Sequence, residues 1–331
     1  MNMKFLIIVS AALLLFSTVD GIEISMVDGD VKSGFLECDI SLANIHDCVA
    51  TIPGTFKIHQ DTEISNVDII CKQSSTNFRP CILIYPGINV KLKKVTLSGS
   101  GFNNFMGLYK SATLTMEDAT LNGWDGPTFI KSDNAHINII NSIFTNNSVR
   151  ELIEISQSKI NLVNTTFSNN VVSGAGSLIS ASTSSIVNLA NLIFSGNAVS
   201  GTGSLISAFN SDYDVNLANT TFSNNDVKTD GGALYIEDSG ANIDQCNFHL
   251  NSAQKGGAIH FYVGSHGIFG TITNSVIKHN FAYDGESHGI YCEGTDQPTF
   301  YDDYATIKVD AETSKDMDET KTKHACKLMI E

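Results

Sequence analysis

Positive charge is scarce in this sequence. Its 331 residues hold 20 lysines and arginines against 35 aspartates and glutamates, a formal charge of −15. Only two of the cations are arginines, Arg79 and Arg150. Phosphate backbones are held by concentrated positive charge, so nucleic acid is excluded as a partner. The same balance argues against electrostatic binding of acidic polysaccharide or anionic lipid. Prolines number 5, and 17% of residues are charged against 42% hydrophobic, the composition of a globular chain. Sustained helical periodicity is missing after the first residues. No Cys-x-x-Cys pair occurs, which leaves no structural zinc motif, and neither metal nor cofactor is expected.

Long apolar runs are missing too, with one exception at the start. After Lys4 comes Phe5-Leu-Ile-Ile-Val-Ser-Ala-Ala-Leu-Leu-Leu-Phe16, then Ser17-Thr-Val-Asp-Gly21. A positive residue, a short apolar core and small residues make residues 1–21 a signal peptide. Spanning a bilayer takes about 20 apolar residues, so the core is too short to be a membrane helix. The ending, Lys327-Leu-Met-Ile-Glu331, is too short for a lipid-anchor tail. The expected product is secreted and extracellular.

What is present is a repeat. It reads Ile137-Asn-Ile-Ile-Asn-Ser-Ile-Phe144-Thr-Asn-Asn147, then returns ending in Phe167-Ser-Asn-Asn170, Phe194-Ser-Gly-Asn197, Phe222-Ser-Asn-Asn225 and Phe248-His-Leu-Asn251. Isoleucine replaces phenylalanine in Ile277-Lys-His-Asn280. The phenylalanines are 23, 27, 28 and 26 residues apart, the period of a solenoid unit too small to bury its own apolar face. Apolar and polar positions alternate before each phenylalanine, which is strand periodicity. A second apolar strand follows each Asn, at Leu178, Leu205, Leu234, Ile259 and Ile290. Several strands per repeat and no helix predict a parallel β-helix, each coil about 4.8 Å along from the last. The phenylalanines then stack inside, and the asparagines sit at a turn where their amides bond from coil to coil. Leu97 and Leu121 keep the register with leucine in place of phenylalanine.

Two motifs recur together: Phe-x-x-Asn, and Gly-Gly-Ala-[Leu/Ile] at Gly231–Leu234 and Gly256–Ile259, with Gly-Ser at 176–177 and 203–204 in the earlier coils. The pair resembles the repeats of chlamydial polymorphic outer-membrane proteins and of secreted pectin-lyase-like β-helix proteins of social amoebae. The resemblance covers roughly residues 130–291 and implies a right-handed coil. Val49-Ala-Thr-Ile-Pro-Gly-Thr-Phe-Lys-Ile58 is similar to the Pro-Gly turn that opens many such helices. The organisation expected is an N-terminal cap over 22–48, about nine coils over 49–291 and a C-terminal cap or tail over 292–331. The tail carries Asp302, Asp303, Asp310, Glu312, Asp316, Asp318 and Glu319 without the spacing of a calcium loop.

Seven cysteines in a secreted chain point to disulfides. Cys38 with Cys48, and Cys71 with Cys81, are ten residues apart near the N-terminal end, and Cys292 with Cys326 would tie back the C-terminal segment. Cys246 is left over, and without an accompanying His–Cys arrangement it reads as a buried thiol beside the stack. Sequons at Asn146, Asn164 and Asn219 are candidate glycan acceptors. Asn164 and Asn219 also belong to a second column with Asn141, Asn191 and Asn274; were it turned inward, no glycan would attach.

Enzymes of the pectin-lyase-like fold set the alternative. Pectate-type lyases use an arginine base with calcium-holding carboxylates, whereas Arg79 and Arg150 stand in unrelated contexts. Polygalacturonase-like enzymes use clustered aspartates, Gly-His-Gly and Arg-x-Lys; here only His266-Gly267 and His288-Gly289 remain, each after a serine. Taking Leu178, Leu205, Leu234, Ile259 and Ile290 as inward makes Ile179, Ile206, Tyr235, His260 and Tyr291 outward. Two residues further stand Ala181, Ala208, Glu237, Tyr262 and Glu293. The last three coils thus offer a stripe of Tyr235, His260, Tyr262 and Tyr291 for stacking sugar rings, and Glu237, His260 and Glu293 are the weak catalytic candidates. The inserts before each second strand are small and polar, with no catalytic cluster. The leading expectation is a non-enzymatic extracellular protein that binds, adheres or builds structure, engaging a glycan or a cell-surface protein. The alternative is a divergent polysaccharide lyase or glycoside hydrolase.

Overall fold

The computed structural model describes residues 55–72, 80–209, 215–264, 268–285, 287–294 and 305–314, with further strands nearer both ends. The chain is an all-β parallel β-helix. Ile69, Leu97, Leu121, Phe144, Phe167, Phe194, Phe222, Phe248 and Ile277 stand in register, nine rungs separated by eight steps. Leucine does substitute for phenylalanine at 97 and 121.

A coil is built from four short strands, as in Ile186–Ala190, Ile193–Ser195, Ala198–Val199 and Ile206–Phe209. Each pairs in parallel with its counterpart one coil before and one coil after. Alternation decides what faces in. Along Ile186–Ala190, Val187 and Leu189 are buried while Asn188 faces out. Asn191 then takes φ 57°, the left-handed conformation that lets the chain turn and that asparagine tolerates best. The same corner has positive φ at Asn141, Asn164, Asn219 and Asn274, which explains the second asparagine column.

The phenylalanines stack as expected. Ring centroids are 4.7–5.0 Å apart and planes within 9° from Phe144 through Phe167, Phe194 and Phe222 to Phe248, all fully buried. Each contributes about 1.5–3 kcal/mol by burial, with about 0.5–1.5 kcal/mol more per aromatic pair. Three residues on, the asparagines of the first column are buried and chained. Asn197 Oδ1 accepts from the backbone N–H and the Nδ2 of Asn170, both at 3.0 Å. Its own Nδ2 donates to Phe167 O at 3.0 Å and to Asn225 Oδ1 at 2.9 Å. Asn147, Asn170, Asn225, Asn251 and Asn280 repeat the arrangement.

The second column faces solvent. Asn164 Nδ2 donates to Asn141 Oδ1 at 3.1 Å, and Asn219 Nδ2 to Asn191 Oδ1 at 2.9 Å. Asn146 is exposed as well, with Nδ2 3.2 Å from Asn122 Oδ1. A third ladder, Asn138–Asn161–Asn188–Asn216–Asn242, runs along the outer face of another sheet with amide bonds of 2.8–3.0 Å.

Both ends extend the parallel pairing. Asn44–Ile52 pairs in parallel with Thr62–Lys72, while Leu36–Ser41 and Ile22–Ser25 add antiparallel strands. Beyond residue 291, Ala305–Val309 and Cys326–Ile330 continue one ladder in parallel. Cys71 and Cys81 form a disulfide, and Cys292 is disulfide-bonded. Cys246 is a free thiol, buried beside the stack, and burial pushes it up to about 11. Residues 7–17 of the expected signal peptide, Pro53-Gly54, Arg79, His266-Gly267, Asp302-Asp303 and the side chains of Cys38, Cys48 and Cys326 lie outside the described residues.

Candidate functional site

The strands Ile206–Phe209, Leu234–Glu237, Ile259–Val263 and Ile290–Gly294 form the face that carries the aromatic stripe. Its register differs from the expectation in the earlier coils. Ile206 pairs with Leu234 and Ile179 with Ile206, so Ile179 and Ile206 are inward and fully buried. Ala181 and Ala208 are inward as well. The true outward columns are Ser180–Ser207–Tyr235–His260–Tyr291 and Ser182–Phe209–Glu237–Tyr262–Glu293. Leu178 and Leu205 correspond to Ala233 in the Gly-Gly-Ala turn, one position ahead of the strand. Aligning the first large apolar residue of each coil slipped the pattern by one, and a slip of one exchanges the two faces. Phe209 is the residue that this error hid.

The stripe is only partly open. Tyr235, Glu237, Tyr262, Glu293 and Phe209 are half-buried, but His260 is 1% exposed and Tyr291 is fully buried. Outward from the sheet is therefore not outward to solvent for those two. His260 lies between the rings of Tyr235 and Tyr291, which present at 80° and 78° with centroids 5.2 and 5.1 Å away. From one side comes Asp230, its Oδ2 3.3 Å from His260 Nδ1; Glu293 Oε1 is 3.6 Å from Nε2. Lys255 Nζ reaches Glu293 Oε1 at 3.1 Å and sits 5.2 Å from the centre of the Tyr291 ring.

Asp230 and Lys255 come from the inserts that the sequence presents as featureless. Each immediately precedes a Gly-Gly-Ala: Asp230-Gly231-Gly232-Ala233 and Lys255-Gly256-Gly257-Ala258. Gly231 and Gly256 take φ 73° and 58°, turning the chain sharply into the strand. That turn sets the residue before it against the outer sheet face. The signal was available: a charged residue at the same position before the same turn in two consecutive coils.

The hydroxyls of the two tyrosines are committed to carboxylates. Tyr235 Oη donates to Glu237 Oε2 at 3.1 Å, and Tyr291 Oη to Glu293 Oε2 at 2.9 Å. Burial, and then the neighbouring Glu237 carboxylate, raise the Tyr235 phenol well above its ordinary range, so it stays a neutral donor. Glu237 and Glu293 are separated by Tyr262 in the same column, two steps or about 9.6 Å at 4.8 Å each. Elsewhere, a shallow groove follows the third asparagine ladder, lined by Asn161, Asn188, Asn216, Asn242 and Thr271. It has no aromatic side chain in its lining, and its amides are already bonded to one another.

With known proteins the likenesses are these. Residues 219–237 match the Chlamydia polymorphic membrane protein repeat, a stretch that holds Phe222, Asn225 and the Gly231–Leu234 turn. The crystal structure of the periplasmic alginate epimerase AlgG is similar at 11% identity and a TM-score of 0.44, over 87% of this chain and 84% of that one. No curated protein matches the chain.

Proposed function

We propose that the chain is a secreted, extracellular β-helix protein that recognises glycans on its late-coil face and carries out no chemistry there. One observation carries the reading: the half-buried aromatics Phe209, Tyr235 and Tyr262 adjoin carboxylates already held by hydroxyl donors. A sugar ring offers an apolar face to stack and hydroxyls that a carboxylate can accept, and this face has both kinds of group. Glycoside hydrolysis needs more. It needs one carboxyl group to give a proton and another to activate water or attack, about 5–9.5 Å apart. Glu293 has both carboxylate oxygens already engaged, Oε1 by Lys255 Nζ at 3.1 Å and Oε2 by Tyr291 Oη at 2.9 Å, which leaves it poorly placed to serve a glycosidic oxygen. Glu237 lies at the outer limit of that separation, with Tyr262 between. The disulfide Cys71–Cys81 and the repeat shared with chlamydial membrane proteins support an extracellular setting.

The test is a glycan array probed with wild type and with a Phe209→Ala/Tyr235→Ala/Tyr262→Ala variant, which spares the buried Tyr291. Binding reduced at least tenfold in a variant of unchanged circular dichroism supports the reading. Binding that survives the substitutions places recognition elsewhere. Release of reducing ends or unsaturated products from a bound glycan favours the lyase or hydrolase alternative instead.

A further inference from the structure

We infer that Asp230, His260 and Glu293 form a binding site for one divalent transition-metal ion of the zinc class. The inference stands apart from glycan recognition and is read out without any glycan. Both imidazole nitrogens of His260 are buried and make no hydrogen bond, although each faces a carboxylate. A polar ring so enclosed needs a partner, and neutral imidazole is the commonest metal ligand. One ligand atom from each of the three residues lies within 4.8 Å of the other two. Around a tetrahedral ion with bonds of about 2.0–2.2 Å, ligand atoms stand about 3.4 Å apart. Closing to that geometry asks about an ångström or more of the carboxylates, one of which is carried on a loop.

The donor set selects the ion. One imidazole with two carboxylates suits zinc and its neighbours, whereas calcium and magnesium take oxygen ligands alone. Three protein ligands leave a fourth position to solvent or to an incoming oxygen donor. The flanking rings of Tyr235 and Tyr291 fix the imidazole plane, and Tyr291 Oη holds Glu293 Oε2 as a supporting bond. Lys255 is the competitor. Its ammonium lies 3.1 Å from Glu293 Oε1, the oxygen that the metal would take, and must withdraw from it as the ion enters. Removing that ammonium therefore strengthens metal binding.

The full-length chain, freed of metal by chelation, is titrated with zinc chloride in a calorimeter and in competition with a metal-sensitive dye. The expected result is one ion per chain, weakened at least tenfold by His260→Gln and by Asp230→Asn, and tightened severalfold by Lys255→Gln. Should His260→Gln fail to fold, the Asp230 and Lys255 variants, both in loops, decide the matter by their opposite signs. No stoichiometric zinc binding overturns the inference, as does calcium bound in preference to zinc. Binding that persists in Asp230→Asn but disappears when His249 and His279 are replaced assigns the ion to that exposed pair, whose Nδ1 atoms are 3.3 Å apart, and equally overturns it.

Discussion

Asparagine does two jobs here, and burial separates them. Asn197 is 1% exposed and its amide serves four bonds, so its loss strands the N–H of Asn170 in the interior and takes one bond each from the carbonyl of Phe167 and the amides of Asn170 and Asn225. A buried polar group without a partner costs about 1–3 kcal/mol. Asn197→Ala should therefore lower stability by about 2–4 kcal/mol. Asn191 forms part of an equally continuous ladder, but in water, where solvent replaces whatever is removed. Asn191→Ala loses a favoured left-handed residue at φ 57° and little else, about 1 kcal/mol. Urea unfolding of the two variants side by side checks the difference; equal losses would mean that the inner ladder is not what holds the turns. Both columns were legible in the sequence as recurrences of one residue type. Which one was buried was not, because spacing alone does not reveal the direction of a turn.

At the scale of the turn and strand, the glycine pair decides register and site together. A Cβ on Gly256 would stand 2.3 Å from Ile259 O, at φ 58°. Gly256→Ala meets both the left-handed penalty of about 1–2 kcal/mol and a backbone collision, and should cost about 3 kcal/mol or more. At Gly123, φ is 70° but nothing lies within 4 Å, so Gly123→Ala should show the conformational penalty alone. Thermal unfolding of the pair measures the collision by difference, and similar melting points would refute the close approach. The same turn explains what the sequence did and did not disclose. The equivalence of Gly176-Ser177 and Gly203-Ser204 with the Gly-Gly pairs already contained the true register, in which Leu178 aligns with Ala233. Choosing the first bulky residue as inward overrode it. The enclosure of His260 and Tyr291 depends on contacts with Asp230 and Lys255 from neighbouring inserts, and no strand periodicity encodes those.

Across the whole molecule, each coil touches the next along the axis, and that geometry limits how far a perturbation travels. Leu97 pairs with Ile69 and Leu121, and Phe144 with Leu121 and Phe167; among the described residues no ladder links the first coils directly to the phenylalanine stack. Stability in such a chain is close to a sum of coil terms and nearest-neighbour interfaces. The disulfide Cys71–Cys81 closes a loop of ten residues in the early coils. Closing so short a loop is worth about 2–3 kcal/mol through the unfolded state. In a compact domain that sum would be shared by every residue. Here Cys71→Ala with Cys81→Ala should instead raise amide exchange in Thr62–Lys72, Pro80–Ile84 and their ladder neighbours, while strands 166–168, 193–195 and 221–223 keep their protection. Hydrogen exchange followed by mass spectrometry reads both regions in one sample. Uniform loss of protection would show that the coils unfold as a single unit, coupled by columns such as the phenylalanine stack, whose rings run unbroken across four interfaces.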